Sequence, residues 1–235
     1  MQRYRDIIAR LDPQGPPRAE LVVPPSGDGI ADRCLVLDAS FNPPTHAHLA
    51  LAKEGAKATK AHSILLQLSS ANVDKSIEGA DLGQRLYMLH HLAERDPLIG
   101  VTACSHARFL EKAEALTGAI ADTRWIFAIG YDTLIRLFDP VYYTDMGREL
   151  DMLFDTVEFA VANRAEHDTQ TVEAFLDAAT VSRFRDKITI ITLDERFASV
   201  SSSEIRKRVR AGDKYDHLLP DSLATLIADL HLYKD

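Results

Sequence analysis

Two histidines follow a proline-rich turn that comes directly after a short apolar run. The run is CLVL at residues 34–37, and the chain continues through DASFNPPT to His46 and His48. Prolines fix the turn, and Thr45 is a favourable residue to cap a helix that begins after it. In such a helix Thr45 and His48 share a face, and an imidazole on the first turn donates to an anion that the free backbone N–H groups attract. The segment therefore predicts a phosphate site, with an ordinary turn and capped helix as the alternative.

A second candidate for phosphate binding lies near the other end of the chain, at VSSSEIRKRV in residues 200–209. Its three serines are favourable N-cap residues, and the helix predicted over 204–210 turns Ile205 and Val209 inward. Arg206 stands one turn into that helix, where its guanidinium, the serine hydroxyls and the free N–H groups converge on a polyphosphate. The alternative here is a basic surface helix with a serine cap.

Both segments belong to a chain in which short apolar runs alternate with helical patterns. The runs are CLVL (34–37), SILLQL (63–68), GVT (100–102), WIFAI (125–129), FAVA (159–162) and ITIITL (188–193). Strands that are apolar on both faces and alternate with helices form a parallel sheet covered on both sides, so we predict a doubly wound α/β fold. Ligands bind such sheets at the carboxyl ends of the strands, near the switch in strand order.

The first 29 residues differ from the rest in composition. A short amphipathic helix is followed by a segment rich in proline and glycine, residues 12–29, which predicts a surface connection. We therefore divide the chain into an N-terminal helix and connection, residues 1–29, and a single domain over residues 30–235.

Composition and charge exclude several classes of function. The 235 residues are 46% hydrophobic and 26% charged, as in globular proteins, and no apolar run approaches the length of a membrane span. A formal net charge of −8 argues against a general binder of nucleic acid. The two cysteines have neither metal-ligand nor CxxC spacing, which indicates a reducing compartment and an intracellular location, cytoplasmic or nuclear. The sequence also lacks the P-loop and GxGxxG patterns of common nucleotide-binding proteins.

The two anchor segments resemble signatures of the nucleotidylyltransferase superfamily, in particular of nicotinamide mononucleotide adenylyltransferases of eukaryotic type. SFNPPTHAH is similar to the SFNPxTxxH signature, and VSSSEIR is similar to ISSTxIR, with Ser203 in place of a threonine. Four further segments match the family in order: residues 69–89, 125–138, 157–164 and 218–235. The resemblance implies a Rossmann-like nucleotidylyltransferase fold and an enzyme of NAD biosynthesis, which transfers AMP from ATP to nicotinamide or nicotinate mononucleotide and releases pyrophosphate.

The resemblance also implies the roles of particular residues. His48 is the implied donor to the α-phosphate, and Arg206 is the implied ligand of the departing pyrophosphate. The implied nucleotide-binding residues are Ser40, Phe41, Thr45, Lys75, Gly130, Asp132, Ser202 and Ser203. Mg²⁺ is expected on the ATP phosphates, because the sequence offers no cluster of carboxylates, histidines or cysteines as a cage. Arg85 and Arg164 are left open as either phosphate ligands or members of structural ion pairs.

The sequence departs from the family at two kinds of position. Ala39 stands where the family has glycine, and an alanine restricts positive φ. The tryptophans that stack on the nicotinamide ring are absent, because the single tryptophan, Trp125, lies inside a predicted strand. Phe109, Tyr142 or Tyr143 is left to take their place. This departure keeps two alternatives open: a nucleotidylyltransferase with another phosphorylated acceptor, or an ATP-binding or ATP-hydrolysing regulator without an acceptor pocket.

Overall fold

A seven-stranded sheet forms the centre of the computed structural model, which describes residues 1–27, 29–71, 79–163, 169–197 and 200–234. The strands are β1 (Ala19–Val23), β2 (Arg33–Asp38), β3 (Ser63–Ser69), β4 (Ile99–Cys104), β5 (Arg124–Gly130), β6 (Val157–Asn163) and β7 (Ile188–Thr192). Their order across the sheet is β1-β4-β3-β2-β5-β6-β7. β1 is antiparallel to β4, and every other neighbouring pair is parallel.

Helices follow the strands as the sequence predicts. They are α1 (Gln2–Ala9), α2 (His46–Thr59), α3 (Leu82–Ala93), α4 (Phe109–Ala119), α5 (Tyr131–Leu137), α6 (Met146–Thr156), α7 (Thr169–Leu176), α8 (Ser202–Ala211) and α9 (Asp221–Asp229). Short 3-10 helices lie at Pro140–Tyr142, Ser182–Lys187, Glu195–Phe197 and Asp216–Leu218. Among the residues with a described structure, no helix is both long and apolar enough to cross a membrane.

The two faces of the sheet carry separate hydrophobic cores, because successive side chains of a strand point to opposite faces. In β2, Leu35 and Leu37 join the core that α2, α3 and α9 cover, whereas Cys34 and Val36 join the core that α4, α6 and α7 cover. Trp125 is fully buried in the second core, as its place in an apolar run predicts. The doubly wound α/β prediction is therefore confirmed.

The N-terminal segment corrects the prediction of a surface connection. Residues 19–23 form β1, which pairs with β4 at the edge of the sheet, and Val22 is buried in the core. Helix α1 buries Tyr4 and Ile7 in the same core and packs against α3. Because both elements contribute to the main core, α1 and β1 are integral parts of the packed fold.

The strand order changes direction beside β2. The chain proceeds from β2 outward to β3 and β4, then returns to place β5 on the other side of β2. The switch point therefore lies between the carboxyl ends of β2 and β5, at Asp38 and Gly130. Open parallel sheets bind ligands in the crevice at such a point.

Ion pairs join β2, β5 and β6 at the opposite end of the sheet. Glu158 of β6 accepts hydrogen bonds from Arg33 of β2 and Arg124 of β5, each at 2.9 Å. Burial acts to raise the pKa of Glu158, but the two arginines outweigh it and hold that pKa below its ordinary value. This ion-pair network joins three neighbouring strands at the end of the sheet away from the switch point.

Candidate active site

A cavity of about 440 Å³ opens at the switch point. Ser40 and His48 line it on the side of β2, and Gly130 and Thr133 line it after β5. Its volume lies within the range of small-molecule sites. The structure thus places the first anchor segment at the edge of the sheet where the strand order predicts a ligand.

The turn between β2 and α2 is tightly fixed. It contains a cis peptide bond between Asn42 and Pro43 and a left-handed residue, Phe41, with φ of 43°. Ala39 is outside the positive-φ region, so the alanine that replaces the family's glycine adopts ordinary backbone geometry. The Phe41 ring is fully buried, with its centroid 5.1 Å from that of the His48 ring. The Phe41 side chain therefore packs in the core beside His48, and a nucleotide contact by this residue stays a prediction.

Helix α2 begins with a capping box that fixes the His48 ring. The Thr45 hydroxyl accepts from the His48 backbone N–H at 3.3 Å, and the Thr45 backbone N–H donates to His48 Nδ1 at 3.1 Å. Because Nδ1 accepts a hydrogen bond, this pattern assigns the proton of the neutral ring to Nε2. His48 thus lines the cavity with Nε2–H as its ring donor, and donation to a phosphate stays a prediction.

The same capping box gives Thr45 a positioning role. Its side chain is fully buried, and its hydroxyl lies 2.8 Å from His48 Nδ1. Thr45 therefore holds His48 in place, and its contact with a phosphate stays a prediction.

Helix α8 packs its N-terminus directly on the turn after β2. Ser201 caps the helix, accepting from the Glu204 backbone N–H at 3.2 Å. The Ser202 hydroxyl donates to the Pro43 carbonyl at 2.8 Å, and Arg206 Nη1 donates to the Asn42 carbonyl at 2.8 Å. The two segments that the sequence singled out, about 160 positions apart, therefore meet in the fold.

Arg206 carries an unused donor. Its Nη2 donates to the hydroxyl of the exposed Ser203 at 3.3 Å, which places that serine beside the guanidinium. Its Nε is buried and has no hydrogen-bond partner among the described residues. A buried donor without an acceptor costs free energy, and an anion bound here would supply the missing acceptor.

Arg85 has a structural role in the turn. Its side chain is buried, and it donates from Nε to the Ala80 carbonyl at 2.7 Å and from Nη1 to the Ser40 carbonyl at 3.3 Å. Burial lowers the pKa of Arg85 from its ordinary value. Of the two roles that the sequence left open, these backbone contacts favour a structural one.

The segment after β5 divides into a lining part and an exposed part. Gly130 and Thr133 line the cavity, whereas the Asp132 side chain between them is exposed. The contact of Asp132 with the nucleotide stays a prediction. Lys75 and Arg164 lie outside the described residues.

Aromatic side chains form the wall of the cavity away from α8. Phe109, Tyr142 and Tyr143, which the sequence left as replacements for tryptophan, all line the cavity. Phe109 packs edge-to-face against Phe127, with ring centroids 5.2 Å apart, and against Phe159 at 5.6 Å. Two rings of the core therefore fix the orientation of Phe109, which makes it the best-ordered surface for a stacked ring.

A buried ion pair in the cavity wall was not identified from the sequence. Lys112 Nζ lies 2.6 Å from Asp38 Oδ2, and the two side chains are only 6% and 15% exposed. Both residues line the cavity. The pair joins β2 to α4 across 74 positions, so the only local signal was a carboxylate at the end of an apolar run.

Comparisons with known proteins agree with this geometry. The chain is 27% identical over 215 residues to a Schizosaccharomyces pombe protein provisionally named a nicotinamide mononucleotide adenylyltransferase, with 85% of each chain covered. It is 24% identical over 208 residues to a Borrelia turicatae protein provisionally named a nicotinate-nucleotide adenylyltransferase, covering 86% of this chain and 97% of that one.

A solved structure shares the fold. It is that of the Plasmodium falciparum nicotinic acid mononucleotide adenylyltransferase complexed with NaAD, with a TM-score of 0.61 and 17% identity, covering 86% of this chain and 97% of that one. A family model described as cytidylyltransferase-like matches residues 36–208, a range that contains both anchor segments and the residues that line the cavity. The resemblance carried by those segments is confirmed at this level: the chain belongs to the cytidylyltransferase-like family.

Proposed function

We propose that this protein is an adenylyltransferase that joins AMP from MgATP to the 5′-phosphate of a pyridine mononucleotide, nicotinamide or nicotinate, with release of pyrophosphate. The observation that carries the proposal is the packing of α8 on the turn after β2. It holds Arg206, whose Nε has no partner among the described residues, against the same turn that leads into the cavity-lining His48. The names of the relatives support the same reaction and both mononucleotides.

The chemistry needs alignment more than activation. An oxygen of the mononucleotide 5′-phosphate attacks the α-phosphorus of ATP, and the bond from that phosphorus to the α–β bridging oxygen breaks. Because the nucleophile is already an anion, no strong base is required, and the protein contributes positioning and stabilisation of charge.

His48 would donate from Nε2 to an α-phosphate oxygen as charge develops on it. Thr45 holds the ring through Nδ1, so this donor is oriented before the substrate arrives. Helix N-termini attract anions through their free N–H groups, and α2 provides one directly at His48. Ser40, in the turn before α2, would lie beside the same phosphate.

Arg206 would hold the β- and γ-phosphates and then the departing pyrophosphate. The N-terminal N–H groups of α8, with Ser202 and Ser203, lie about one turn before Arg206 on the same helix. Lys75 is proposed to neutralise a further phosphate. Mg²⁺ would enter with ATP on its phosphate oxygens, where it withdraws charge from the leaving group.

The pyridine ring would lie against the aromatic wall at Phe109. The sequence left other acceptors open because the stacking tryptophans are absent. The aromatic rings that line the cavity would supply a stacking surface in their place.

The free thiols Cys34 and Cys104 are buried, which suits an enzyme of a reducing intracellular compartment.

The test is incubation of the purified protein with ATP, Mg²⁺ and either mononucleotide, with nucleotides separated by chromatography. Dinucleotide and pyrophosphate in equal amounts are the expected products. ADP or AMP without dinucleotide would contradict the proposal and support the ATP-hydrolysing alternative. Omission of the mononucleotide is the control, and it should leave ATP intact.

A further inference from the structure

We infer that the buried pair of Asp38 and Lys112 reads the 3-substituent of the pyridine ring and selects the carboxamide over the carboxylate. The inference rests on the proposed function and adds the specificity of its acceptor. None of the roles assigned above to His48, Arg206 or the aromatic wall uses this pair, although both of its members line the same cavity.

The pair is built into the protein and is not a surface contact. Lys112 is 5% exposed as a residue, and its Nζ lies 2.6 Å from Asp38 Oδ2. Asp38 Oδ1 accepts from the Ser69 hydroxyl at 2.7 Å and from Gln67 Nε2 at 3.2 Å. These bonds fix the carboxylate, and the carboxylate in turn fixes the ammonium group.

The hydrogen-bond capacity of the pair is incompletely used. Each carboxylate oxygen has room for two donors, and an ammonium group has three N–H bonds. Among the described residues, Asp38 Oδ2 accepts only from Lys112, and Lys112 Nζ donates only to Asp38. One acceptor position and two donors are therefore left on neighbouring atoms beside the cavity.

This remaining set complements a carboxamide. The amide NH₂ donates to Asp38 Oδ2, and the amide carbonyl accepts from Lys112. Lys112 Nζ lies 5.2 Å from the centroid of the Phe109 ring, so a pyridine ring against Phe109 carries its substituent toward the pair.

A carboxylate at the same place is disfavoured by charge. The pair is neutral as a whole, since the one positive charge of Lys112 is already matched by Asp38. A nicotinate carboxylate would accept from Lys112 but would face Asp38 Oδ2 with no proton between them. Two carboxylates brought together in a site shielded from water repel strongly, whereas the amide satisfies both partners.

The experiment measures kcat/KM for nicotinamide and nicotinate mononucleotide in the same preparation of full-length protein. Their ratio is independent of the fraction of active enzyme, so partial misfolding of a variant does not change it. The wild type is expected to prefer the amide by about tenfold or more, as a site built on hydrogen bonds discriminates against a mismatched partner.

Two substitutions should move the ratio in opposite directions. Asp38→Asn leaves the positive charge of Lys112 unmatched, which lowers the amide-to-acid ratio by about tenfold. Lys112→Met leaves the negative charge of Asp38 unmatched, which raises the ratio. Asp96→Asn is the matched control, because Asp96 forms a 2.7 Å ion pair with the exposed Lys53 away from the cavity, and it should leave the ratio unchanged.

The outcomes separate this inference from the proposed function. If dinucleotide forms but the wild type prefers the acid, or if both cavity variants keep the wild-type ratio, the specificity assignment is overturned and the adenylyl transfer stands. If neither mononucleotide yields dinucleotide, the proposed function fails, and the inference fails with it. Opposite shifts in the two variants support the assignment. If Asp38→Asn does not fold, Lys112→Met alone is the test, and a wild-type ratio in that variant overturns the assignment.

Discussion

Two of the interactions that replacement of His48 by alanine removes have consequences of different size. The first is the capping bond from the Thr45 backbone N–H to Nδ1, at 3.1 Å. Loss of a helix cap costs about 1 kcal/mol, which lowers Tm by roughly 2–4 °C in a chain of this size. The second is the Nε2–H donor at the cavity. Loss of an oriented donor to a transition state costs about 2.7–4 kcal/mol, or about 10²- to 10³-fold in kcat.

The two effects are separable because they act on different quantities. Globular domains are stable by about 5–15 kcal/mol, so a loss of about 1 kcal/mol leaves His48→Ala folded at 25 °C. The fall in kcat then reports the missing donor and not a shortage of folded protein.

The assay pairs initial rates of pyrophosphate release at saturating ATP and mononucleotide with a thermal unfolding curve. His46→Ala is the matched control, because it makes the same substitution two positions earlier on the first turn of α2. We expect it to keep the wild-type kcat. A His48→Ala variant that turns over within tenfold of the wild type would refute the assignment of His48.

Three further predictions test other parts of the structure. Arg206→Ala should lower kcat about 10²-fold and raise the KM for ATP. Lys207 is an exposed neighbour on α8, and Lys207→Ala should change neither quantity. Equal effects of the two substitutions in steady-state kinetics would contradict the role of Arg206. Phe109→Ala should raise the KM for the mononucleotide by about tenfold and leave the KM for ATP near its wild-type value, and the reverse pattern would argue against ring stacking there. Glu158→Gln should lower the free energy of unfolding at pH 7 by about 1–2 kcal/mol, measured by urea titration. Because the folded-state pKa of Glu158 is lowered, its contribution is present above the ordinary pKa of 4.5 and is lost as the pH falls through the folded value, so the two proteins should converge in acid; a constant difference would exclude the ion pairs as its source.

The parallel part of the fold was predictable because each parallel strand corresponds to a short, mainly apolar run in the sequence. In SILLQL four of the six residues are apolar and every position is buried, as a strand covered on both faces of the sheet requires. β1 carried no such signal. AELVV stands between prolines, and its partner in β4 lies about 80 positions away, so nothing near it in the sequence indicated the pairing.

The site was predictable to the level of the segment and less so to the level of the atom. The spacing of Thr45 and His48 gave a shared helix face, but it did not show that the two side chains bond to each other. Spacing also leaves the environment of each side chain open. The structure packs Phe41 in the core, joins Thr45 to His48 and leaves Asp132 exposed. The ion pair of Asp38 and Lys112 needed the tertiary fold, because its members share no local pattern.

The contacts of Arg206 suggest why two distant segments are joined before any nucleotide binds. Its guanidinium is oriented by the Asn42 carbonyl and by Ser203, so two of its nitrogens are engaged while Nε is left buried without an acceptor among the described residues. A side chain held in this way needs little reorganisation when charge develops on a departing pyrophosphate, and reorganisation is the main cost of electrostatic stabilisation in water. The chain carries a net charge of −8, so its affinity for a polyphosphate must arise locally. The N-termini of α2 and α8, brought together by the bonds from Ser202 and Arg206 to the turn, provide that local positive potential.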